Sequence, residues 1–197
     1  MIELPDWAVP NGASPYLIDF GGFLTPGLGG EVQRIDRMGN RFGIAVSYPP
    51  VLGKDRGRIL VSRLIRGKTE GVRIEYPLLD FAPGIPGSVL VDGASQSGRT
   101  LAVKDATPNY AFREGQFFSI EEDGRHYLHT VDEQVFADAA GEAELSISPM
   151  LRIEPSDEAP CHFAKPMIEG FIHGEEWRWT MMIERMIPVE FEIRERA

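Results

Sequence analysis

Four histidines, one cysteine and scattered carboxylates are the side chains best suited to chemistry. His126 and His129 lie three apart in a stretch with strand character, so their rings are expected on opposite faces. In that arrangement they cannot share a metal ion without a bulge, and both are read as partly exposed strand residues. His162 and His173 complete the set. Cys161 stands between Pro160 and His162, and a neighbouring imidazole can lower a thiol pKa. A partly buried, unreactive thiol is the simpler reading, and a lone cysteine excludes an intramolecular disulfide or a cysteine-based zinc site. Ser95-Gln96-Ser97-Gly98 lacks the leading glycine of a nucleophile elbow and reads as a turn. The glycines between residues 21 and 30 have neither the lysine of a phosphate loop nor a helix after them. Glu121-Glu122-Asp123 ends at a glycine turn. A hydrolytic carboxylate pair there would depend on a separation that sequence does not give. Trp177, Trp179, Met181 and Ile183 alternate as one face of a strand and are expected in the core, although exposed aromatics of this kind make sugar platforms. No catalytic, cofactor-binding or metal-binding residue is assigned, no cofactor is expected, and the chain is not expected to be an enzyme.

The elements around these residues are mostly short strands. Tyr16–Phe20, Glu31–Ile35 and Arg41–Tyr48 are predicted strands, the last two separated by a turn at Met38-Gly39-Asn40. In the third, Phe42, Ile44, Val46 and Tyr48 alternate with smaller or polar residues, the pattern of a half-buried strand that Pro49-Pro50 should end. One helix is expected over Asp55–Arg66, with Leu60, Val61, Leu64 and Ile65 as its apolar stripe and Arg56, Arg63 and Arg66 opposite. Asp55 is its expected N-cap and Gly67 its left-handed C-terminal residue. A strand over Val72–Tyr76 follows, then a linker-like stretch, Phe81–Gly87. Beyond it, strands are predicted at Ser88–Val91, Thr100–Val103, Gln116–Glu121, His126–Val131 and Ala143–Ser148, spaced by turns such as Asp123-Gly124. This spacing suggests a small barrel or sandwich. Strands at Pro166–His173, Glu175–Met186 and Val189–Arg194 finish the chain.

With 197 residues, 43% hydrophobic and 25% charged, the chain has an ordinary globular balance and enough length for a core. Its apolar runs fall far short of the roughly 18 residues of a membrane span, and Met1–Asp6 lacks the features of a secretory signal. No membrane insertion is expected. The net charge of −10 is unevenly distributed: residues 31–75 hold ten Lys/Arg against five acids, so that segment is +5 and the rest −15. This is a solvated basic face, or one half of a head-to-tail interface that meets the acidic face of another copy. Nucleic-acid binding is less well supported, because no aromatic platform accompanies the arginines.

Several segments resemble proteins of long-tailed bacteriophages. Gly29–Ile35, the strand Arg41–Tyr48, the helix Asp55–Arg66 and Glu70–Pro77 are similar to the N-terminal domain of phage distal tail and minor tail proteins. In that family a Gly-x-x-Gln-Arg turn precedes a strand, and a helix and a Gly-led strand ending in aromatic-Pro follow. Ile168–Ile172 and Phe191–Ile193 are similar to the strands that close the family's split barrel. Residues 88–151, including Arg113–Ile120 and Asp138–Ala143, resemble a small β-module inserted in several phage particle proteins. The resemblance implies a mainly β fold: a split β-barrel or sandwich domain with one α-helix, over 1–82 plus 161–197, interrupted by a small inserted β-barrel-like domain over 83–160. It also implies a ring, most simply a hexamer of this chain, joining the tail tube protein to hub or fibre proteins in the virion after assembly in the host cytoplasm. Subunits would join by strand augmentation and complementary charge. DNA would pass an acidic lumen without specific binding. Two other readings remain: a carbohydrate- or receptor-binding virion module, favoured if Tyr110, Phe112 and Tyr127 are exposed, and a small hydrolase with a carboxylate pair.

Overall fold

The computed structural model describes residues 1–78 and 80–196. The chain begins with β1 (Ile2–Glu3), β2 (Gly12–Ile18), β3 (Gly22–Leu24), β4 (Gln33–Ile35) and the long β5 (Arg41–Leu52). A π-helical turn at Gly53–Gly57 leads into α1 (Arg58–Glu70) and β6 (Val72–Glu75). Next come β7 (Gly87–Val91), β8 (Thr100–Ala106), β9 (Ala111–Phe112), β10 (Phe117–Glu122) and β11 (Arg125–Val131). The last five are β12 (Val135–Phe136), β13 (Ala143–Ser148), β14 (Cys161–His162), β15 (Met167–Ile172) and β16 (Met186–Glu195). The fold is therefore mainly β with one α-helix. It divides into two compact units, the first over residues 1–16, 42–78 and 167–196, the second over 17–41 and 80–166.

Unit 1 is built on a six-stranded sheet in the order β1-β6-β15-β16-β5-β2, with β1 parallel to β6. The alternation in β5 works as its pattern predicts: Ile44, Val46 and Tyr48 lie opposite Ile193, Phe191 and Val189 of β16, and all six are buried. Pro49-Pro50 does not end this strand. The register shifts between Ile187 and Val189, so the two prolines sit in a bulge where no ladder N–H is required of them, and pairing resumes at Val51. Helix α1 packs on β15, β1 and β6, burying Leu60, Val61, Leu64 and Gly67. Ile65, expected in that stripe, is exposed. Gly67 is inside the helix, where a Cβ would come within 2.2 Å of Val72 Cγ2, and Gly71 (φ 82°) takes the turn after the C-terminus. Asp55 makes no side-chain cap and belongs to the π-helical turn.

Unit 2 centres on a second six-stranded sheet, β14-β10-β11-β13-β8-β7. An antiparallel bridge between Leu90 and Pro160 brings its first and last strands together, so the sheet is a nearly closed barrel. Phe112, Phe118 and Phe163 fill the interior, Phe163 stacking on Phe118 with ring centroids 4.4 Å apart. The Asp123-Gly124 turn joins β10 to β11 with both residues at positive φ (50° and 70°), the two-residue turn its sequence announces. The expected insertion at 83–160 lies within this unit. Strand β14 pairs with β10, and Cys161 and Phe163 are part of the barrel core, so this unit runs to residue 166 and includes 17–41. The expected strand Glu31–Ile35 is only β4, and it pairs with β3 in a separate hairpin.

Candidate functional site

The closest gathering of reactive side chains is on the outward face of the unit 2 barrel. In an antiparallel ladder, directly opposed residues share a face. Glu121 opposes His126, and Ser119 opposes both Leu128 of β11 and His162 of β14. Ser119, Glu121, His126 and His162 are thus placed together by three strands. His162 Nε2 lies 2.9 Å from Glu121 Oε2, and His126 Nε2 lies 3.9 Å from the same oxygen. The two imidazoles are 5.0 Å apart at 47°. His126 Nδ1 is 3.3 Å from Ser119 Oγ. His126 is buried, while the Glu121 and His162 side chains are about a third exposed (34% and 36%), so the cluster is fixed from below and open from above. Glu121, His126 and His162 each offer one donor atom within 4.8 Å of the others, the arrangement that suits a metal ion best among the described residues.

The sequence anticipates part of this. His126 and His129 do point to opposite faces, as the period of a strand requires. Neither is the partly exposed residue expected. His129 is inside the barrel beside Phe118, its Nδ1 2.9 Å from the Pro149 carbonyl oxygen. Burial, aided by the Arg152 guanidinium, pushes its pKa down to about 3. His162, distant in sequence, comes to the cluster only through the pairing of β14, for which the sequence carries no local signal.

The remaining candidates separate. Cys161 faces the barrel interior, opposite in direction to His162, and burial pushes its thiol pKa up, so the neighbouring imidazole does not activate it. Glu121 and Glu122 are successive strand residues and diverge; Glu122 accepts the Ser156 N–H at 2.8 Å instead of pairing with Glu121. The Ser95–Gly98 segment is a turn organised by Gln96, whose amide donates to the Asp92 and Ala102 carbonyls and accepts from Ala102 N–H. His173 is exposed on the chain following β15. A groove of about 410 Å³ in unit 1 is lined by the N-terminal segment, β6 and Met167, without histidine, cysteine or serine among its walls.

Two surfaces are apolar without being enclosed. The β3–β4 excursion carries Leu17, Phe20, Phe23, Leu24, Leu28, Val32, Ile35 and Met38, all exposed, with Phe23 67% accessible and Leu28 wholly so. Polar contacts hold its base: Arg34 to Asp19 at 2.6 Å, and Asn40 accepting Phe20 N–H while donating to Asp36. The second surface corrects the expected strand Glu175–Met186. Residues 177–182 are irregular, and Trp179, Met181, Met182 and Ile183 are exposed, Ile183 almost completely (99%). Trp177 stacks on Trp179 at 5.3 Å and donates its indole N–H to Glu190 O. These residues do not form a core face. No helix among the described residues is long and apolar enough to cross a membrane. No protein-family model matches the chain, and a search of curated proteins finds no match.

Proposed function

We propose that this chain is a ring-forming structural subunit of the tail tip of a long-tailed bacteriophage, a distal tail or minor tail protein that joins the tail tube to hub or fibre proteins. The observation that carries this reading is the β3–β4 excursion. A two-stranded hairpin of three paired residues per strand has no core of its own, yet it presents eight large apolar side chains to solvent. So many large apolar side chains exposed in one short segment are unusual for a monomer, whereas assembly proteins use such segments as contact arms. The exposed Trp179–Ile183 segment of unit 1 adds a second such surface. Among the described residues, strand β2 is an edge of the unit 1 sheet, next to β5, and its other side is available for augmentation by a neighbouring chain. The excess of base in 31–75 and of acid elsewhere gives copies complementary faces for a head-to-tail ring, a hexamer in this reading. Acid would then line the lumen through which DNA slides. A receptor- or sugar-binding role for the barrel is less well supported, since Phe112 is fully buried and the Tyr110 hydroxyl is committed to the Pro83 carbonyl at 2.6 Å.

Light-scattering mass and negative-stain images of the purified chain test this. Six-fold rings that vanish in a Phe23→Ser/Leu28→Asp double variant are the expected result. A wild-type chain that stays monomeric and fails to enter tail particles refutes it. A ring whose lumen is lined by residues 31–75 refutes the lumen assignment.

A further inference from the structure

We propose that Glu121, His126 and His162 form a binding site for a divalent ion of the zinc class, which staples β14 to the β10–β11 hairpin. The inference does not rest on the tail-tip reading.

Donor spacing is the first argument. Tetrahedral zinc with bonds of about 2.0–2.1 Å holds its donors about 3.3 Å apart. The observed separations from Glu121 Oε2, 2.9 Å to His162 and 3.9 Å to His126, lie on either side of that value. Small side-chain rotations therefore suffice, and all three residues stand on paired strands, where the backbone is already fixed. The second argument is orientation. A ligating imidazole usually gives its other ring N–H to an acceptor, which fixes tautomer and direction. Ser119 Oγ is placed to accept from His126 Nδ1, leaving Nε2 as the lone-pair donor facing Glu121. His162 must carry its proton on Nδ1 to ligate through Nε2, and the partial exposure of that ring permits this.

Donor type selects the ion. Two imidazoles and a carboxylate suit zinc, cobalt or nickel, and not magnesium or calcium, which take oxygen donors. The open side of the site leaves room for water as the remaining ligand. Position then gives the ion its role. Strand β14 has two residues, paired at Ser119↔His162 and Ile120↔Cys161, and the chain just before it meets β7 at the Leu90–Pro160 bridge and through hydrogen bonds of Val91 with Ala159 and Glu158. With so short a strand at the barrel seam, an ion shared by β10, β11 and β14 would add a cross-link there.

The experiment is titration of chelator-stripped full-length protein with Zn²⁺ by calorimetry and with Co²⁺ by visible absorption. One ion per chain is expected, with slower amide exchange in β14 on loading. His162→Ala and Glu121→Gln should each weaken binding by about 100-fold or more, Ser119→Ala by about tenfold, and His173→Ala not at all. Should a variant fail to fold, ring proton signals of His126 and His162 in the wild type must shift or broaden on addition of the ion. Absence of stoichiometric binding, binding that survives His162→Ala, or unmoved ring signals overturns the site. Binding without added protection of β14 overturns the staple.

Discussion

Lowering the pH from 6.5 to 4.5 should destabilise unit 2 by about 2.3 kcal/mol through one side chain, His129. The ring is enclosed in the barrel against Phe118, and neutral Nδ1–H donates to the Pro149 carbonyl. Desolvation is the main reason its pKa falls to about 3, the Arg152 charge adds to it, and the bond to Pro149 opposes it. In the unfolded chain the same imidazole titrates near about 6.5. Between these values the unfolded state holds a proton that the folded state does not, so stability is complete above the unfolded pKa and falls as pH drops towards the folded one. The slope is half of about 1.36 kcal/mol per pH unit at pH 6.5, where the unfolded ring is half protonated, and approaches the full value below it, which integrates to the stated loss. Trp7, Trp177 and Trp179 all belong to unit 1, so tryptophan fluorescence would miss the effect. Urea unfolding followed through the amide NMR signals of Phe118, Leu128 and Leu145 reads unit 2 directly. His129→Gln keeps a donor for Pro149 and cannot titrate. The difference in stability between wild type and variant should change by about 2.3 kcal/mol across this range. Parallel losses in the two proteins would show that His129 is not the group responsible.

Two further predictions concern unit 1 and are readable by fluorescence. Glu169 is buried and receives both the Nε and Nη2 hydrogen bonds of Arg73, at 2.8 and 2.7 Å. Glu169→Ala should cost about 3 kcal/mol, the low end for a broken buried pair because Arg73 keeps the Glu3 carboxylate at 3.5 Å, and replacing both partners with apolar residues should recover most of it. A loss no larger in the single variant than in the double variant would refute that account. At Gly67, alanine gains about 1 kcal/mol of helix propensity but places a methyl carbon 2.2 Å from a fully buried, β-branched Val72. Overpacking of about 1–3 kcal/mol should win, so Gly67→Ala should lower the melting temperature, and an increase would mean that α1 can shift away from the sheet.

Local pattern fixed those features whose physics is local. The period-2 alternation of Phe42–Tyr48 identified a strand and its buried face, and the Asp123-Gly124 pair identified a turn, because side-chain direction and positive φ are properties of a few adjacent residues. The apolar stripe of α1 was legible at Leu60, Val61 and Leu64, and failed at Ile65 because the sheet beneath covers only part of the helix circumference. The alternation of Trp177, Trp179, Met181 and Ile183 is equally regular, yet no strand forms there: a strand needs a partner, and pattern alone does not supply one. The same limit explains why Pro49-Pro50 interrupts nothing, since the bulge opposite Pro188 removes the demand for their N–H groups. It explains the candidate site as well. Glu121 and His126 lie on strands legible in sequence on either side of that turn, whereas His162 joins them only when β14 pairs with β10 and Pro160 meets Leu90 to close the barrel. Sequence by itself therefore determined the mainly β class and the strands that carry Glu121 and His126. The seam of the barrel, the ring that completes the cluster and the apolar arm left outside any core were decided by tertiary structure, because each depends on which distant segments meet, and loop closure between distant segments has no local signature.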